Sequence, residues 1–103
     1  MSDSRKDIWY RQRKKSGFDD RETWSLDHTI VEFVLPRLIR FREITPGYPA
    51  NLTLKKWGKI LDQIIYSMQA ICDEWEGKEV TLDEKKINKG IYLFGKYFRH
   101  LWW

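Results

Sequence analysis

The chain has 103 residues, 16% of them aromatic, with six tryptophans, one cysteine and a net charge of +4. That length bounds it to one domain with a modest core. The lone Cys72 excludes an internal disulfide and fits a reducing compartment, and no run approaches the roughly 18 apolar residues that a membrane span needs.

The charge is local. Residues 1–15 hold six cationic side chains against two acids, whereas the rest of the chain holds thirteen of each. Such basic arms contact nucleic acid or another polyanion, or simply stay solvated. No apolar stretch follows these charges, so a signal peptide is not expected and the expected location is the cytoplasm.

Taken in order, residues 1–17 read as a basic N-terminal arm or short helix, with Ile8, Trp9 and Tyr10 at its middle and Gly17 as punctuation. Residues 18–103 read as a single helical domain. Asp19, Asp20 and Glu22 place acids at the next helix start, with Asp20 or Ser25 expected as N-cap.

The spacing predicts a first long helix over residues 20–43, apolar around most of its circumference. Leu26, Ile30, Val34, Leu38 and Phe41 share a face, flanked by Trp24, Val31 and Leu35. Asp27 falls near the middle of that apolar arc, and Arg37 on its edge. Asp27 is therefore either a structural acid with a partner in the core, or an acid held in a cleft for a ligand. Pro36 should kink the helix.

ITPGYPANL, residues 44–52, is a connection, because two prolines and a glycine within four residues cannot extend a helix. Tyr48 between the prolines is expected to be a fixed contact. Thr53 is the expected N-cap of the second long helix. Its amphipathic stripe includes Trp57, Leu61, Ile64, Met68, Cys72 and Trp75, and it ends near Gly77.

Thr81 to Glu84 fits a capping box. The third helix should then run to the C-terminus, with Ile87, Gly90, Ile91, Phe94, Phe98 and Leu101 inside. Gly90 and Gly95 each cost a helix about 1 kcal/mol against alanine, which implies close approach by another group. On its outer face Lys85, Lys89, Tyr92, Lys96, Arg99 and Trp103 recur at helical spacing with no acid among them. That stripe suits an anionic partner, or a solvated face whose acids come from a neighbouring helix. The expected fold is all-α, a small bundle of three main helices.

No signature of catalysis, metal binding or cofactor binding emerges. His28 and His100 lie on different segments, and one Cys with two His reaches no usual zinc pattern. There is no phosphate loop and no nucleophile elbow. A non-enzymatic protein with no cofactor and no metal is expected; composition and spacing name no ligand.

Several segments together resemble a family of small proteins recurring in tailed-bacteriophage genomes. They are Gly17-Phe18-Asp19-Asp20, Trp24-Ser25-Leu26-Asp27-His28-Thr29 and Leu35-Pro36-Arg37-Leu38. Gly47-Tyr48-Pro49, Trp57 with Ile60-Leu61-Asp62, and Gly90 with Leu93-Phe94-Gly95-Lys96-Tyr97-Phe98 and Leu101-Trp102 complete the pattern. The resemblance covers residues 17–102. It implies a viral protein acting inside an infected bacterium, where small non-enzymatic phage proteins counter host defence.

On that footing the first expectation is a homo-oligomer that sequesters a cyclic or linear nucleotide signal. Phosphates would meet Arg37, Lys96 and Arg99; bases would stack on Trp24, Tyr97 or Trp102; Asp27 would pair with a base edge or a cation. The alternative is a protein-interaction module that inhibits a host defence effector, such as a CRISPR nuclease, through the third-helix stripe and the basic arm. A second alternative is nucleic-acid binding through the arm, which the neutral body makes the weakest of the three.

Overall fold

The computed structural model describes residues 4–79 and 81–103; the first three residues of the basic arm lie outside them. Three quarters of the structure is helix and the described residues hold no strand, so the fold is all-α. No helix among them is long and apolar enough to cross a membrane. The helices are α1 (Arg5–Ser16), a single turn α2 (Arg21–Trp24), α3 (Leu26–Ile44), α4 (Leu54–Trp75) and α5 (Glu84–Tyr97), followed by a 3-10 turn, Phe98–His100. The chain divides into two compact units, one up to Ile30 and one from Val31 to Trp103, whereas the charge boundary in the sequence falls near residue 17.

In the first unit, the Ser4 side chain accepts from the Asp7 amide to cap α1, and Gly17 closes it at φ +81°, where a side chain would be strained. The junction is organised by Asp19 rather than by Asp20, which makes no side-chain cap. Asp19 is only 1% exposed. It accepts from the Arg21 backbone amide at 3.0 Å and from the Arg21 guanidinium at 3.0 and 2.9 Å. Arg13 approaches the same carboxylate at 3.5 Å and Glu22 at 3.2 Å. Arg21 also covers the Trp9 ring at 4.3 Å, and Trp9 meets Trp24 edge-on at 5.9 Å. At least one cation of the basic arm thus works inside a folded network.

The long helix expected over residues 20–43 is interrupted at Ser25, whose backbone is non-helical (φ −127°, ψ 70°). Its buried face is narrower than expected and rotated. Val31, Leu35 and Leu38 are buried, Val34 and Phe41 pack partly against the core, and Leu26, Ile30 and Phe33 are exposed. Asp27 is exposed too, so the position near the middle of the apolar arc does not bury it. The arc is centred on Val31 and Leu35, roughly one turn further along. Pro36 does not end the helix.

In the second unit, α4 and α5 pack antiparallel: Ser67 bonds to carbonyls at the start of α5, and Trp57 meets Tyr97 at its end. Thr53 caps α4 as expected, accepting from the Lys56 amide, and Gly77 follows the helix at φ +74°. Trp57, Leu61, Ile64 and Met68 form the centre of the core, joined by Leu93 of α5 and the α3 residues. Trp75, expected in the α4 stripe, lies at its C-terminal end and is exposed, as is Leu54 at its start.

Three expectations for α5 are corrected. Its N-cap is Asp83, which accepts from the Lys86 amide, rather than Thr81 with Glu84. The helix ends at Tyr97 instead of continuing to the C-terminus. Ile91 and Phe98, placed inside by the sequence pattern, are exposed, while Leu93 is buried. Gly90 does meet a close neighbour across the α4 interface; nothing lies within 4 Å of a β-carbon built on Gly95, so close approach does not explain that glycine.

Candidate functional site

Because α5 stops at Tyr97, the last residues leave the helix and turn back over the 45–50 loop. Leu101 anchors this tail by packing against the core. The Trp102 indole donates to the Arg99 carbonyl oxygen at 3.1 Å, which fixes the ring relative to the turn. On the other side, Pro49 is buried and the Leu52 amide donates to its carbonyl at 2.9 Å, so the loop has its own internal support.

Between loop and tail lies a slot of about 290 Å³, lined by the 45–50 segment with Trp57, His100, Trp102 and Trp103. Trp57 is its floor, 1% exposed, while Trp102 is 75% exposed. Tyr48, held between Pro46 and Pro49, contributes a third ring wall. The slot is at the lower end of ligand-pocket volumes and mostly apolar, suited to one planar ring system.

A basic groove of about 480 Å³ adjoins it, lined by Gly95, Lys96, Arg99, His100 and Trp102. His100 and Trp102 belong to both. Among the described residues no carboxylate pairs with Lys96 or Arg99. The Lys96 ammonium instead lies 5.4 Å from the Tyr97 ring centroid and 6.0 Å from that of Tyr92. Chemically the pair of cavities offers flat apolar faces at one end and unneutralised cations at the other.

Of the seven expected site residues, Lys96, Arg99 and Trp102 come together here. Tyr97 lies half-buried beneath them, edge-on to Trp57 at 5.6 Å and 6.0 Å from the His100 ring. It braces the site rather than offering a free stacking face. Arg37 is elsewhere, in a separate groove of about 210 Å³ with Phe33, Val34, Phe41 and Leu101. Its guanidinium covers the Phe33 ring at 3.7 Å and donates to the Phe33 carbonyl at 2.9 Å. Trp24 and Asp27 belong to the first unit. The residues that sequence reasoning missed are Trp57, read only as core, and His100, whereas Trp103 already stood in the cationic stripe of the third helix. The proline-bracketed Tyr48, expected as a fixed contact, was a further signal at this end of the molecule. No family model, characterised protein or solved structure matches the chain.

Proposed function

We propose that the protein is a non-enzymatic nucleotide binder, in which the bundle of α3, α4 and α5 carries one site made of the aromatic slot and the basic groove. A base enters the slot between Tyr48 and Trp102, and its phosphate meets Lys96 and Arg99. The observation that supports this reading is the continuity of the two cavities through His100 and Trp102. Stacking on aromatic faces is sequence-tolerant, and cations left without carboxylates favour phosphate.

The resemblance of residues 17–102 supplies the biological setting: a phage-encoded anti-defence protein that sequesters a nucleotide signal in the infected cell. Exposed Phe98, Trp75, Phe33 and Tyr10 support self-association into a homo-oligomer, since large exposed apolar side chains favour interfaces. Titrating mononucleotides while following tryptophan fluorescence tests the site. Quenching that is lost in Arg99→Ala and a ligand recovered intact after denaturation support the reading. A chemically altered nucleotide would replace it with an enzyme.

The second reading is a protein-interaction module that inhibits a host effector. The exposed Ile91 and Phe98 of the α5 segment, next to its lysines, favour it. A stable complex with one host protein and no affinity for nucleotides would establish it.

A further inference from the structure

We propose that the ligand is a single-stranded oligonucleotide, laid along the outer face of α5 with one base in the aromatic slot. The proposal rests on the nucleotide-binding reading and names the ligand class for that same site.

Lys85, Lys89, Tyr92 and Lys96 fall on one exposed stripe of α5, and Arg99 follows in the 3-10 turn. Among the described residues none of these four cations is paired with a carboxylate. Two of them have ring neighbours: the Lys89 and Lys96 ammonium groups lie 5.7 and 6.0 Å from the Tyr92 centroid. Two acids do border the N-terminal end of the stripe, where Asp62 and Asp83 line a groove of about 440 Å³ with Lys85, Lys86 and Lys89. Both are engaged. Asp62 pairs with Arg42 at 3.0 Å, and Asp83 accepts from the Lys86 amide at 3.2 Å.

The dimensions select the ligand. At the helical rise, Lys85 and Lys96 are separated by about 16 Å along the axis. That track continues into the basic groove and ends at the slot. A single nucleotide seated in the slot reaches Lys96 and Arg99 but leaves Lys85 and Lys89 uncompensated, at mildly repulsive i,i+4 spacing. A chain of phosphates meets all four. The strand must be single, because the slot takes a free base face and Tyr92 offers another, both hidden in a duplex. An acidic polypeptide would satisfy the cations but gain nothing from the alternation of rings with them.

The test is binding of oligothymidylates of one, two, four and eight nucleotides, a blunt duplex, and polyglutamate to the full-length protein. Tryptophan quenching and salt dependence are read together. The expected result is affinity that rises through the short lengths and then levels. The logarithmic salt slope should be about −2.8 for the octamer, from four phosphate contacts at about −0.7 each, and far shallower for the mononucleotide, which offers a single phosphate. The double variant Lys85→Glu/Lys89→Glu, with unchanged circular dichroism, should lose octamer affinity tenfold or more and keep that for the mononucleotide. Equal affinity at all lengths would overturn the proposal while leaving the nucleotide reading intact. Tighter binding of duplex, or of polyglutamate without quenching, would also overturn it. No binding of any nucleotide would remove both.

Discussion

Gly90 of α5 lies directly against Ser67 of α4. A β-carbon on Gly90 would collide with the Ser67 hydroxyl and lie 2.6 Å from its Cβ and 2.5 Å from the Gln63 carbonyl oxygen. The Ser67 hydroxyl is buried and lies 2.8 Å from the Ile87 carbonyl oxygen and 3.1 Å from that of Lys86, so it ties the start of α5 to α4. This contact sets how closely α4 and α5 approach and in which register they pack.

Gly90→Ala should therefore destabilise the fold by about 1–3 kcal/mol through overpacking, against its gain in helix propensity. Gly95→Ala meets nothing and should stabilise by up to about 1 kcal/mol. Urea denaturation of the two variants reads the difference. Equal effects would show that α4 and α5 do not approach this closely.

Asp19 makes the stability of the first unit depend on pH. Its hydrogen bond from the Arg21 side chain holds the carboxyl below its ordinary value, outweighing the opposite effect of burial. A depressed value in the folded state gives stability that is complete above the unfolded value, about 3.9, and is lost as pH falls through the lower folded value. Asp19→Asn should thus loosen the Trp9–Trp24 contact at neutral pH. The gap to wild type should close only in strong acid, as followed by near-ultraviolet circular dichroism.

The reassignment of Arg37 separates the site from its surroundings. Trp102→Ala should weaken nucleotide binding by about 1–3 kcal/mol, the worth of one base stack. Arg37→Ala should leave it unchanged, because Arg37 lies over Phe33 in another groove. Calorimetric titration of both variants checks this; equal losses would place the ligand elsewhere.

Cys72 is buried, and desolvation pushes its thiol up from the ordinary value, with Glu76, Glu32 and Asp73 adding to the effect. It should resist iodoacetamide in the native protein at pH 8 and react once urea unfolds the chain. Mass spectrometry reads the adduct.

Helix content, the Thr53 cap, the Gly77 stop and the core of α4 were legible because each rests on local chemistry or on a 3.6-residue period. Asp27 was misplaced for a related reason: the period locates an apolar arc but not which part of it meets a partner, and the buried part of α3 begins only at Val31. The α5 cap went to Asp83 because its carboxylate reaches the Lys86 amide, two residues later than the Thr81–Glu84 pattern implies. The site was half legible. Lys96, Arg99 and Trp103 shared a helical spacing, but Trp57 looked like any core residue. Its role as floor depends on the chain leaving the helix after Tyr97, a tertiary choice that spacing does not encode.

The most direct measurement is native mass spectrometry of the full-length protein, alone and with mononucleotides and short single strands. The account predicts an oligomer that gains the mass of an unmodified nucleotide or strand, and loses that gain in Arg99→Ala. A protein that gains no nucleotide mass under any of these conditions would contradict it.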